Sequence, residues 1–153
     1  MKKNINDVKI ASTSSATPKD FATINDLTNG DWIRILSGTL IDSFGLFLIT
    51  LEWSYGYTAP LLFWFQIGQF TNGFFKVIYY NHSNAANVFD KYRIVKINND
   101  FYVDLHYVGR NGNNNVRIGA VLNQNVNPLE VIEIVRDEDF TISAQGDILS
   151  TET

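Results

Sequence analysis

The strongest signal for the fold comes from the stretches FGLFLITLEW (residues 44–53) and LLFWFQIGQF (residues 61–70), because both are strand-like and apolar in both alternating phases. In the first, one phase carries Phe47, Ile49, Leu51 and Trp53 and the other carries Phe44, Leu46 and Leu48. In the second, Leu61, Phe63, Phe65 and Ile67 alternate with Leu62 and Trp64. Because successive side chains of a strand point to opposite faces, one phase can face the core while the other needs a second covering layer.

That second layer has two candidate sources. A second copy of the same chain is the leading expectation, and it makes four residues of the outer phases candidates for an oligomer interface: Leu46, Leu48, Leu62 and Trp64. The alternative is that the two stretches are central strands of an ordinary sandwich, over which a helix or loop of the same chain lies.

Composition restricts the class of protein. A chain of 153 residues is most simply one domain, and 45% hydrophobic with 18% charged residues excludes a disordered chain. The net charge of −4, with scattered Lys and Arg, argues against a nucleic-acid partner. The absence of cysteine excludes disulfides and zinc–thiolate sites. No signal peptide and no apolar run of about 20 residues is present, so membrane insertion is not expected.

Between residues 31 and 143 the hydrophobic pattern has period two and is interrupted by turn residues such as Asn72-Gly73 and Asn98-Asn99. The candidate strands are Trp32–Leu36, Phe44–Trp53, Leu61–Phe70, Phe74–Tyr80, Tyr92–Asn98, Phe101–Val108, Val116–Leu122 and Leu129–Val135. Short strands without alternating helices indicate a mainly β fold, an antiparallel β-sandwich of about eight strands that forms a head over residues 31–143.

The two flanks differ from this head. Residues 1–16 are polar and predict an extended arm. Residues 17–30 predict a short helix, because Thr17 and Pro18 form a helix start, Phe21, Ile24 and Leu27 recur at helical spacing, and Gly30 supplies a stop. Residues 144–153 lack periodicity and predict a flexible tail.

No motif for catalysis or metal binding is present, so we expect no enzyme, no catalytic residue, no metal and no cofactor. Asp104 and His106 share a strand face, where the carboxylate could orient the imidazole, but a solvated strand face explains both residues as well. The acidic residues 137–139 could hold a hard cation and are more simply a charged loop at a strand end.

Aromatic loop residues give the clearest binding signal. Tyr55 and Tyr57 precede Pro60, and Tyr80 and His82 end another candidate strand. Aromatic rings stack on the apolar face of a sugar while Tyr hydroxyls and nearby Asn or Asp side chains bond to its hydroxyls, so these four residues are candidates for glycan binding. The alternative is that the aromatic side chains cover the edge of the core or pack against another subunit.

The stretch Asn29–Ile142 resembles the compact β-sandwich heads of bacteriophage fibres and baseplate receptor-binding proteins. The resemblance is carried by Asp31-Trp32-Ile33-Arg34-Ile35, by the long aromatic strands, and by Tyr92–Val108 with its Asn98-Asn99-Asp100 turn. It implies a virion structural protein, assembled in the host cytoplasm, whose head forms a homotrimer around a three-fold axis and presents loops to cell-surface saccharides. It also implies that residues 1–16 attach the head to other virion proteins.

Two other classes of protein remain open. Gly30-Asp31-Trp32 is similar to the Gly-x-Trp sequence that opens lipocalin barrels, which close around one apolar ligand cavity. The third reading is an isolated carbohydrate-binding module that belongs to no virion.

Overall fold

The computed structural model describes residues 22–39, 42–53, 58–68, 74–80, 88–109, 112–136 and 140–148. Every regular element in these ranges is a strand. The ten strands are β1 (Ala22–Leu27), β2 (Trp32–Thr39), β3 (Ser43–Trp53), β4 (Thr58–Ile67), β5 (Phe74–Tyr80), β6 (Phe89–Ile97), β7 (Asp100–Tyr107), β8 (Gly112–Gln124), β9 (Val126–Val135) and β10 (Thr141–Asp147). The prediction of a mainly β, antiparallel sandwich is therefore confirmed.

The strands form two five-stranded sheets. Sheet A has the order β1-β8-β3-β4-β5 and sheet B the order β10-β6-β7-β2-β9. All the pairs are antiparallel, and β3 and β4 pair along ten residues from Ser43↔Ile67 to Glu52↔Thr58. An up-and-down barrel of the lipocalin type places each strand beside its neighbour in sequence. Here β1 pairs with β8 and β2 pairs with β7 and β9, which is a different topology.

The core lies between the sheets and is filled by aromatic and aliphatic side chains. Phe47 and Phe63 stack on sheet A with ring centroids 5.5 Å apart. Phe65 of sheet A meets Phe101 of sheet B at 5.4 Å, and all four phenylalanines are completely buried. Each such burial stabilises the fold by about 1.5–3 kcal/mol. The interior is thus packed with side chains where a lipid-carrying barrel would have a cavity.

Asparagine and glycine make the tight turns that the sequence indicates. Asn98, between β6 and β7, has φ 57°, and Asn125, between β8 and β9, has φ 56°. Gly30 has φ 99° and sits in the turn closed by the hydrogen bond from the Asp31 amide to the Thr28 carbonyl, 3.0 Å. These left-handed backbone positions favour Asn and Gly over other residues.

The predicted helix over residues 17–30 is wrong where the structure describes it. Ala22–Leu27 is strand β1, which pairs with β8 from Ala22↔Val116 to Leu27↔Gly112 and buries Leu27 completely. Residues 17–21 lie outside the described residues. A cap and a helical spacing contribute only about 1 kcal/mol, and pairing with a sheet edge outweighs them.

The predicted tail is also partly wrong. Residues 144–147 belong to β10, which pairs with β6 through Ala144↔Ile94 and Asp147↔Lys91. The edge strands β1 and β10 therefore raise the count from about eight to ten and extend the sandwich beyond residues 31–143 on both sides. Residues 1–16, the predicted arm, lie outside the described residues.

Candidate functional site

A charged cluster lies on the outer face of sheet B, where an exposed polar row was expected. Arg93, Asp104 and Arg34 occupy one register position on β6, β7 and β2. Asp104 is fully buried and accepts hydrogen bonds from Arg34 Nε (2.9 Å), Arg34 Nη2 (3.3 Å) and Arg93 Nε (2.9 Å). One carboxylate thus holds two guanidinium groups.

Three aromatic rings cover this cluster. The Arg93 guanidinium lies 4.2 Å from the Trp32 ring centroid and 4.6 Å from that of Phe140. The Arg34 guanidinium lies 4.6 Å from the Tyr102 ring centroid. Cations over ring faces are attracted by the negative π surface, and more strongly so when water is excluded. The rings therefore compensate part of the desolvation cost of two buried arginines.

A cleft of about 470 Å³ opens beside the cluster, with Trp32, Arg93 and Phe140 in its wall. Asp31 and Arg136 complete the wall and are joined by an ion pair of 3.2 Å between Arg136 Nη2 and Asp31 Oδ2. The backbone amide and the hydroxyl of Thr28 donate to the same oxygen at 2.8 and 3.0 Å. The cleft combines cationic, acceptor and aromatic groups.

Asp31 stays ionised to a lower pH than an ordinary aspartate does. Burial on its own raises the pKa of Asp31, but the hydrogen bond from the Thr28 amide outweighs it together with the contacts from Arg136 and the Thr28 hydroxyl. The net result is a pKa below the ordinary value of 3.8. Because the folded pKa is the lower one, the carboxylate stabilises the fold fully above the unfolded pKa, and this stability is lost as pH falls through the folded pKa.

We therefore expect Asp31→Asn to lower the free energy of unfolding at pH 7 by on the order of 1 kcal/mol, the usual net value of such hydrogen bonds. The difference from the wild type should shrink as the pH falls from about 3.9, the unfolded pKa, towards the lower folded pKa, because the unfolded chain takes up the proton first. Urea unfolding at pH 7 and pH 3 measures both values. Asp42→Asn, at an exposed aspartate, controls for the loss of one negative charge. A difference between wild type and Asp31→Asn that is the same at both pH values would contradict this account.

The candidate glycan-binding residues are not brought together by the described part of the chain. Tyr55, Tyr57 and His82 lie outside the described residues. Tyr80 is the last residue of β5, where its backbone is opposite Leu61. Residues 137–139, the predicted acidic loop, also lie outside the described ranges. The glycan assignment to these tyrosines and this histidine stays a prediction.

The four interface candidates lie together on the outer face of sheet A. Leu46 is in register with Trp64 on one side and with Leu122 on the other, and Leu48 is opposite Leu62. The three leucines of the prediction are half-buried, Trp64 is 42% exposed and Leu122 is 61% exposed. We call these five residues, Leu46, Leu48, Leu62, Trp64 and Leu122, the outer apolar face.

Asp104 and His106 do not form the pair that their shared face suggested. The Asp104 carboxylate binds the two arginines, whereas His106 Nδ1 is hydrogen-bonded to Asp90. The His106 ring also lies 5.0 Å from the Trp32 ring. The solvated-face interpretation is likewise wrong for Asp104, because the arginines and the rings above them exclude water from it.

Sequence reasoning missed the residues of the cleft. The available signal was that Arg34, Arg93 and Asp104 each stand between two apolar or aromatic residues within a strand, which is unusual for charged residues unless they are paired. Phe140 and Arg136 carried no comparable signal in the sequence.

Within the described ranges, no group of three or more His, Cys, Asp or Glu side chains has the arrangement of a metal site. The same ranges contain no helix that is long and apolar enough to cross a membrane. Comparison with protein-family models, with curated proteins and with solved structures finds no match to this chain. A function for this chain must therefore be inferred from its own residues and geometry.

Proposed function

We propose that this chain is a non-enzymatic virion structural protein, a short phage fibre or decoration head that self-associates into a homotrimer and binds host cell-surface glycan as a secondary role. The outer apolar face is the observation that carries the proposal. The virion setting rests on the resemblance of Asn29–Ile142 to phage head domains. The glycan role is independent of the outer apolar face.

The outer apolar face supports self-association by its composition and continuity. Its five residues lie on three adjacent strands, β8, β3 and β4, so they form one surface rather than scattered contacts. Large contiguous apolar patches are uncommon on monomers and mark interaction surfaces. A second copy of the chain is the simplest partner, since closed symmetric homo-oligomers are the commonest assemblies.

The mass in solution tests the assembly. We expect size-exclusion chromatography with light scattering, at micromolar protein, to give three times the chain mass of 17.4 kDa. A stable monomer under these conditions would contradict the proposed assembly. A stable dimer would contradict the proposed three-fold symmetry but would still be consistent with self-association through the outer apolar face.

The arm gives an independent prediction about attachment. Deleting residues 1–16 should leave the sandwich folded and oligomeric, because all the described strands lie after residue 21. The same deletion should abolish incorporation into particles, since the arm is the proposed contact with other virion proteins. Circular dichroism and light scattering measure the first outcome and particle composition the second. Normal incorporation of the truncated chain would remove the anchoring role.

A further inference from the structure

The cleft beside the charged cluster offers hydrogen-bonding groups that the fold does not use. Among the described hydrogen bonds, Arg93 uses only Nε, so its two Nη atoms are left over. No buried side-chain nitrogen or oxygen of the described residues lacks a partner, so these Nη atoms are not fully buried, and Arg93 lines the cleft. The Asp31 carboxylate also has an unused atom. All its described hydrogen bonds are accepted by Oδ2, so Oδ1 is available as an acceptor.

The charges of the cleft favour a monoanion. Arg93 lines the cleft, and its Nε is bound to Asp104, so the positive charge that it presents to a ligand lies on its two Nη atoms. Arg136, whose side chain is 59% exposed, is neutralised by Asp31. A phosphate dianion would be repelled by the Asp31 carboxylate and by the net charge of −4 of the chain. A single carboxylate matches the planar fork of an arginine.

We propose that this cleft binds a saccharide that carries a carboxylate, such as a uronic acid residue of an acidic glycan. The carboxylate is held by the Nη atoms of Arg93 with help from Arg136. Asp31 Oδ1 accepts from a sugar hydroxyl, and the rings of Trp32 and Phe140 contact apolar C–H groups of the sugar. The inference deepens the glycan-binding part of the proposed function and rests on it, at a site different from Tyr55, Tyr57, Tyr80 and His82.

Protein NMR with three probes tests the ligand class. D-glucuronate should shift the indole signal of Trp32 and the Nε signal of Arg93 with millimolar affinity. D-glucose, which lacks the carboxylate, should leave both signals unchanged at the same concentration. Acetate, which lacks the sugar, should bind at least about tenfold more weakly, because the contacts to Asp31 and the rings are missing. Equal shifts by glucose, equal affinity for acetate, or shifts that avoid the cleft would each overturn the proposal.

Variants test the residues. Arg136→Gln changes an exposed side chain and should weaken glucuronate binding about tenfold, the effect of one lost charged hydrogen bond. Lys96→Gln removes the same charge from an exposed position of β6 outside the cleft and should bind like the wild type. Arg93→Gln should abolish binding while its spectrum remains that of a folded chain. Unchanged binding by Arg136→Gln would overturn the role of the cleft, and this result does not depend on whether Arg93→Gln folds.

The same samples separate this inference from the assembly. Light scattering on the titrated protein reports the oligomer, and the Trp32 and Arg93 signals report the cleft. A monomer that binds glucuronate refutes the trimer alone. A trimer that does not bind it refutes the acidic-saccharide site alone.

Discussion

Replacing Asp104 by asparagine is expected to lower the free energy of unfolding by about 3–5 kcal/mol, the usual cost of removing one partner from a buried ion pair. The change keeps the shape of the side chain and removes its charge. It removes the charged group that binds the guanidinium groups of both Arg34 and Arg93, whose side chains are only 5% and 10% exposed. Since the free energy of unfolding of a domain is only about 5–15 kcal/mol, the substitution should remove a large part of it.

Urea unfolding followed by circular dichroism, at one fixed protein concentration, measures this loss. The concentration is fixed because assembly adds to apparent stability. Asp100→Asn is the matched control: it makes the same change on the same strand at an exposed position and should stay within about 0.5 kcal/mol of the wild type. Equal unfolding midpoints for the two variants would show that the buried cluster does not stabilise the fold.

Replacing Leu122 by lysine is expected to convert the proposed trimer to monomers. Leu122 is 61% exposed on a single chain, so the lysine should not unfold it. At the proposed three-fold interface, however, each of the three ammonium groups would have to leave water without an anionic partner, at a cost of several kcal/mol. The variant should therefore elute at the mass of one chain while its circular dichroism spectrum stays that of the wild type.

Val131→Lys provides the control. Val131 is 67% exposed on β9, an edge strand of sheet B, so the two substitutions place the same charge at similarly exposed aliphatic positions of opposite sheets. It should leave the trimer intact. If Val131→Lys dissociates the oligomer and Leu122→Lys does not, the interface lies on the other side of the molecule.

The position of Leu122 on the outer face could not be predicted from the sequence. Its strand reads Val116, Ile118, Ala120, Leu122 with period two, which predicts one inward phase. A register shift between β3 and β8 at Leu46/Phe47 instead brings Leu122 opposite Leu46 on the outer face, while Ala120 remains opposite Phe47. The extra residue of such a bulge reverses the side chains that follow it. Periodicity within one strand cannot reveal this, because the shift is defined by the neighbouring strand.

The sequence alone determined the fold class and the doubly apolar nature of two strands, because period-two alternation and turn residues are local properties that each segment carries by itself. It also identified Leu46, Leu48, Leu62 and Trp64 as one surface. Only the tertiary structure made Ala22–Leu27 a strand, enclosed Asp104 between two arginines and built the cleft around Arg93. These features depend on which distant strands become neighbours and in which register, and that is decided by long-range pairing and burial rather than by any single segment.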